Sequence, residues 1–303
     1  MKILVLGASD GFYAERLQKV AESRGHEFHM CSARDLCVEV GPEVIHATVN
    51  GEDVFSYDVI HPVSLIANRW PWCAILLYAQ EKFQTQIIDR RNVDAKLGEY
   101  SGLSKYFIEH DKAIPFPKTF SFKRIEDAER AMNEGMFSYP VILKNTSSKK
   151  GRGVLLASDI ESIRDFVSST LAEDNTLGFV LREFIPNDGD YRVNVIDGKV
   201  VAVFKRTPMV GEFRSNISQG GTLAFVPSET VPDVCRVALQ ITELVQCDIS
   251  GVDVMVHTET GVAHVLEVNR APEIDENDEA QSGLDFAALI VDLYESRYAG
   301  RNA

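Results

Sequence analysis

Gly251-Val252-Asp253-Val254-Met255-Val256-His257, then Thr258-Glu259-Thr260-Gly261, then Val262-Ala263-His264-Val265-Leu266-Glu267-Val268-Asn269 make one continuous stretch near the C-terminus. Two runs of alternating character flank a short turn that contains glycine, the pattern of an antiparallel hairpin. A loop centred on Thr260 sets Asp253 and Glu267 seven residues either side of it, so the two carboxylates lie opposite one another. Asn269, two residues beyond Glu267, shares their face because strand side chains alternate. Opposed like charges destabilise paired strands unless something neutralises them. A hard divalent cation with oxygen ligands does so, and Mg²⁺ leaves positions for water and substrate phosphates. The spacing alone also allows a blander reading, in which all three side chains face solvent.

Upstream, Tyr139-Pro140-Val141-Ile142-Leu143-Lys144 reads as a buried strand ending in a lysine. The loop Asn145-Thr146-Ser147-Ser148-Lys149-Lys150-Gly151-Arg152-Gly153 follows. Its small residues and glycines let backbone N–H groups approach phosphate oxygens, and its three cations add charge. The Walker spacing is absent, and an ordinary basic hairpin loop fits equally well. Lys205-Arg206 and Arg214-Ser215-Asn216, with Arg192 before them and Gly220-Gly221 after, form a second cationic group. Taken pair by pair, such residues are commonly solvated surface.

The 303 residues, 45% apolar and 25% charged, suffice for two or three lobes with real cores. No apolar run reaches the roughly 20 residues of a membrane span. Met1-Lys2-Ile3-Leu4-Val5-Leu6-Gly7 reads as a first strand rather than a signal peptide, which predicts a cytoplasmic protein. The five cysteines are scattered and form no C-x-x-C pair, so reduced, mostly buried thiols are expected. A net charge of −14 argues against nucleic acid as a partner. An acidic chain that binds an anionic ligand must gather its cations locally, so they should cluster around the motifs above.

Strand 3–7, a turn, a helix to about Arg24 capped by Gly25, a strand from His26 and another over 54–60 predict a parallel sheet with covering helices. Gly7-Ala8-Ser9-Asp10-Gly11 lacks the dinucleotide spacing. Residues 92–113 read as helical and 114–119 as extended. Strands follow at 154–157, 178–185, 191–197 and 199–205, with helices over 159–172 and near 231–246 and 284–298. Residues 273–279 form an acidic run, either a solvated loop or an attractor for a cationic substrate.

Taken in order, these segments resemble the ATP-grasp superfamily, most closely its RimK-like branch of α-L-glutamate ligases. The resemblance spans nearly the whole chain, to about residue 292. It is carried by Lys144 with Gly151 and Gly153, Glu183-Phe184-Ile185, Asp190-Tyr191-Arg192, Gly211-Glu212-Phe213-Arg214-Ser215-Asn216 with Gly220-Gly221, Gly251-Val252-Asp253, and Leu266-Glu267-Val268-Asn269 before Pro272. It implies an α/β ATP-grasp fold: a Rossmann-like pre-ATP-grasp domain (1–94), a small central lobe (95–181) and a C-terminal lobe with the metal site (182–303). Lys144, Gly151, Gly153, Glu183, Phe184 and Asp190 would bind ATP. Arg214, Ser215 and Asn216 would line the phosphate and acyl-phosphate site, with Arg206, Arg214 and Asn216 as the catalytic group. Asp253, Glu267 and Asn269 would hold one or two Mg²⁺ or Mn²⁺ ions.

The implied reaction joins a carboxylate to an amine through an acyl phosphate, adding an amino acid such as glutamate to a peptide or protein. A small-metabolite or precursor-peptide pathway is the alternative, and a non-catalytic ATP-binding module a more distant one. By analogy a homo-oligomer is also open. Departures fall on the substrate side: Val63 follows Pro62 where RimK has an arginine, Arg270-Ala271 replaces the usual serine, and the run 273–279 is far more acidic. Ser148 replaces a loop glycine, and Lys96 and Lys105 compete for one phosphate contact.

Overall fold

A computed structural model describes residues 1–7, 12–65, 69–93, 114–146, 153–209, 211–212, 220–272 and 274–301. Strand β1 (Lys2–Leu6), helix α1 (Phe12–Ser23) and strand β2 (Glu27–Cys31) form a β-α-β unit. Gly25, at φ +78°, ends α1 by donating its N–H to the Glu22 carbonyl at 2.9 Å. A small antiparallel sheet of β3 (Leu36–Val40), β4 (Ile45–Val49) and β5 (Glu52–Asp53) precedes β6 (Val59–Pro62), α2 (Arg69–Phe83) and β7 (Gln86–Ile87). The first sheet has the order β2-β1-β6-β7 and is parallel throughout. The strand expected over 54–60 is shorter than its apolar pattern suggests. The Asp53 carboxylate accepts the Phe55 N–H at 2.9 Å and caps a single helical turn at Val54–Ser56, so the strand starts at Val59.

The second sheet, β10-β9-β11-β8, is antiparallel. It comprises β8 (Thr119–Phe122), β9 (Val141–Asn145), β10 (Val154–Ala157) and β11 (Phe179–Glu183), with α3 (Ile125–Asn133) and α4 (Ile160–Glu173) on one face. Val141, Leu143, Phe179 and Leu181 pack there against Ala128, Ala131, Ile163 and Val167. By alternation, Ile142, Lys144, Val180 and Arg182 occupy the other face.

The third sheet, β14-β13-β12-β15-β16, contains β12 (Asp190–Ile196), β13 (Lys199–Thr207), β14 (Thr222–Phe225), β15 (Ile249–Val256) and β16 (Ala263–Asn269). Val193, Val195, Val203, Val252, Val254 and Val265 lie on one face beneath α5 (Pro232–Leu244). The opposite face is divided. Ile196, Ala202, Phe204 and Ile249 share a core with Ile3, Val5 and the helix α7 (Phe286–Gly300), so the first and last parts of the chain pack together. The rest of that face carries Asp190, Arg192, Arg206 and Asp253.

The acidic run opens helix α6 (Glu276–Ser282). Asp275 caps it by accepting the Asn277 and Asp278 N–H groups at 2.9 and 3.0 Å, and Asp278 Oδ2 accepts the Asp275 N–H at 3.2 Å. Carboxylates are favoured at a helix N-terminus by the unsatisfied N–H groups there. Asp275→Ala should therefore lower stability by about 1 kcal/mol in a denaturant titration.

Candidate active site

The hairpin reaches its expected register by a route the spacing did not reveal. His257 N–H donates to Val262 O at 3.0 Å, and Val256 pairs with Ala263, so the turn lies half a residue earlier than a centre at Thr260. A β-bulge between Asp253 and Val254 then leaves Leu266 without a partner and restores the frame. Asp253 faces Glu267, and Gly251 faces Asn269. Without the bulge, Asp253 would oppose Leu266, and Glu267 would shift by one position relative to it.

Asp253 is 7% exposed and sits in an ion network. Arg192, its direct partner on β12, donates Nε to Oδ1 at 2.5 Å and Nη2 to Oδ2 at 3.3 Å. Arg206 on β13 reaches Asp253 Oδ1 at 3.0 Å and binds its own cross-strand partner Asp190 through both Nε, at 3.1 Å, and Nη2. Burial pushes the Asp253 carboxyl up, but Arg192 and Arg206 outweigh it and hold the group below the usual carboxylate range. Burial likewise opposes the charge of Arg206, and Asp253 and Asp190 overcome it and raise its pKa.

The second sheet presents Lys144 and Arg182 to this hairpin. Burial lowers the Lys144 pKa, the charge of Arg182 lowers it further, and Glu267 and Asp253 pull it back up. Arg182 Nη1 donates to the Leu266 carbonyl at 3.3 Å. Glu183 stands exposed at the end of β11, where Oε2 accepts the Lys118 N–H at 3.1 Å, and Phe184 beside it is half-buried. The extended segment 114–118 runs along β16, with Val265 N–H donating to Pro115 O at 2.9 Å. Gly153 has φ +72° and its carbonyl accepts the Asn145 N–H at 3.2 Å, closing the loop between β9 and β10. Gly151, Arg214, Ser215 and Asn216 lie outside the described residues, as do Lys96 and Lys105.

The donor set suits a hard cation. Two opposed carboxylates and an amide oxygen on the same face are ligands of the kind Mg²⁺ takes. Three carboxylates (Asp190, Asp253, Glu267) meet four cations (Lys144, Arg182, Arg192, Arg206), so the expected local gathering of positive charge in an acidic chain is present. A second acidic group, Glu27, His29 and Glu52, also has ligand spacing. Its carboxylates already hold the Lys2 ammonium at 3.2 and 2.9 Å. No helix among the described residues is long and apolar enough to cross a membrane.

Residues 101–294 match the RimK-like ATP-grasp domain. The chain belongs to the RimK-like ATP-grasp family. A probable alpha-L-glutamate ligase of Aliivibrio salmonicida (strain LFI1238) is 30% identical over 99% of this chain and 97% of its own length. The RimK domain ATP-grasp protein of Sphaerobacter thermophilus DSM 20745 superposes with a TM-score of 0.67 at 19% identity, covering 96% of this chain and 98% of that one. The ATP-grasp ligase PsnB, solved with a minimal precursor, Mg and ADP, superposes with a TM-score of 0.66 at 16% identity over 98% of each chain. ATP and Mg²⁺ are the cofactors of this ATP-grasp ligase family, and the α/β fold is the one the motifs implied.

Within the RimK-like frame, two contacts were missed from the sequence. Arg182 lies in the expected strand 178–185, and only the register of β11 against β9 puts it on the face of Lys144. Arg270, next to Asn269, donates Nη1 to Asn92 Oδ1 at 2.8 Å, and Asn92 in turn donates to Pro62 O at 3.1 Å. That link joins the β15–β16 hairpin to the end of β6 and has no local sequence signal. Gly251 is also constrained: a Cβ there would lie 2.8 Å from Pro272 Cβ and 3.1 Å from Arg192 Cδ. Gly251→Ala should displace Arg192 and cost about 1–3 kcal/mol of stability by overpacking, with a parallel fall in ADP release.

Proposed function

We propose that the chain is an ADP-forming carboxylate–amine ligase that attaches an amino acid, with glutamate as the first candidate, to the end of a peptide or protein. The reading rests most on one observation: Asp253 and Glu267 opposed on paired strands, with Arg192 and Arg206 on one side and Lys144 across the cleft. A substrate carboxylate oxygen attacks the γ-phosphorus of ATP, and ADP leaves. The amine then attacks the acyl-phosphate carbonyl, inorganic phosphate leaves and the amine gives up a proton. Phosphoryl transfer needs positioning and charge neutralisation more than covalent help. Lys144 supplies a cation on the sheet that faces the hairpin, and Asp190 and Asp253 fix Arg206 as a rigid donor. Mg²⁺, held by Asp253, Glu267 and Asn269, would neutralise phosphate charge when bound.

Glutamate is favoured by the names of the curated relatives, and a precursor peptide by PsnB, which was solved with one. We also propose three lobes with the limits 1–94, 95–181 and 182–303, although β11 (Phe179–Glu183) crosses the last limit and keeps Arg182 and Glu183 on the second sheet. The test is mass spectrometry of products after incubation with Mg-ATP, amino acids and a panel of peptides, with ADP release followed in parallel. An amide product with one ADP per bond supports the reading. Nucleotide binding without ADP release against any acceptor contradicts it.

A further inference from the structure

Arg182 is the residue of the cleft whose chemistry the ligase assignment does not yet use. Its guanidinium is a donor-only group, and its Nε is buried without a hydrogen-bond partner. Leaving a buried charged donor unsatisfied is costly, so such a group invites an acceptor. Its surroundings show which kind. Ile142, Lys144, Val180 and Arg182 share the face of the second sheet turned from its helices, because Lys144 pairs with Val180 and Ile142 with Arg182. Nη1 crosses to the third sheet and meets the carbonyl of Leu266, the residue the bulge leaves outside the ladder. Glu267, immediately beyond, favours the charge that burial opposes. Arg182 thus spans the cleft from the base of the Glu183-Phe184 segment to the metal hairpin.

We propose that Arg182 is a nucleotide-binding residue whose Nε donates to a lone-pair acceptor of the bound nucleotide, while Nη1 holds the Leu266 carbonyl and keeps the two sheets in register across the cleft. The bulge then has two effects. It sets Glu267 opposite Asp253, and it frees the carbonyl that anchors Arg182. The acceptor is either a purine ring nitrogen or a phosphate oxygen, the shared chemistry being an exposed lone pair. Lysine cannot replace the arginine, because one ammonium cannot serve both directions with the fork geometry of a guanidinium.

This inference rests on the ATP-grasp reading but not on turnover, so calorimetric binding to the full chain tests it. The probes are Mg-ADP, Mg-pyrophosphate and adenosine, with Arg182→Met and Arg182→Lys compared with wild type. A charge-assisted hydrogen bond predicts a loss of about ten- to hundred-fold in Mg-ADP affinity for Arg182→Met, with a smaller loss for Arg182→Lys. A matching loss for adenosine locates the acceptor on the base. A matching loss for pyrophosphate locates it on the phosphates. Mg-ADP affinity within two-fold of wild type in the variants that keep the native melting transition overturns the proposal, and Arg182→Lys serves where Arg182→Met does not fold. If wild type binds Mg-ADP and Arg182→Met loses it, yet no acceptor yields ADP, the ligase reading falls and the assignment of Arg182 stands.

Discussion

Glu267→Ala should lower ATP turnover by about a thousand-fold or more and leave the fold intact. The side chain is exposed at the mouth of the hairpin, and an exposed site away from caps and cores changes stability by about 0.5 kcal/mol or less. Its contribution to activity is of another order. Removing one carboxylate of a magnesium site takes away several kcal/mol of charge stabilisation, and each 1.36 kcal/mol is tenfold in rate. ADP release at saturating Mg-ATP, measured beside the melting temperature, separates the two effects. Undiminished ADP release in a normally melting Glu267→Ala protein would remove this residue from the metal site.

Arg206→Met has the opposite profile, since it strikes the fold as well as the chemistry. Arg206 joins Asp190 and Asp253, both almost fully buried. Breaking a buried ion pair from one side leaves an uncompensated charge and costs about 3–5 kcal/mol. Arg192 still neutralises Asp253 in this variant, which sets the loss toward the lower end of that range. The pH dependence follows from Asp253. Its carboxyl lies below the usual range in the folded protein, so its stabilisation is in place above the unfolded value of about 4 and is lost as pH falls through the folded value. Arg206→Met removes one of the cations that depress it. The stability deficit should therefore be largest near neutral pH and shrink on acidification, as protonation relieves the unpaired charge. Urea titrations of both proteins from pH 7 to about pH 3, below the unfolded carboxylate value, measure it, and a deficit that grows toward acid would contradict the ion network.

The parts of this molecule that could be read from the chain are those whose signal is local. The strands on either side of Thr260, the strand that carries Lys144 and the helix over 159–172 follow from alternation, apolar runs and helical periodicity. Asp253 opposite Glu267 was reached with a turn centre displaced by half a residue, and the bulge at Leu266 compensated. Alternation cannot show a bulge, because the extra residue carries an ordinary apolar side chain. The turn at Val54–Ser56 was hidden for a related reason, in that its residues favour a strand and only the Asp53 side chain redirects the backbone. The acidic run is a surface feature, as one of its two readings has it, and Asp275 and Asp278 also cap α6. Arg192 with Asp253, Arg206 with Asp190 and Arg270 with Asn92 depend on strands brought together from distant parts of the chain. Residue type marks the two β12–β13 arginines as cations, and only the sheet order shows that both bind Asp253.

Asp253, Glu267 and Asn269 are proposed to grip a divalent ion beside the nucleotide's phosphates. Anomalous scattering from Mn²⁺, in crystals grown with a non-hydrolysable ATP analogue, tests it most directly. The account predicts a peak at the hairpin, within about 2.0–2.3 Å of oxygens from all three side chains and next to a phosphate oxygen. Manganese found at Glu27, His29 and Glu52, with Asp253 still bound to Arg192 and Arg206 and no ion between it and Glu267, would contradict it.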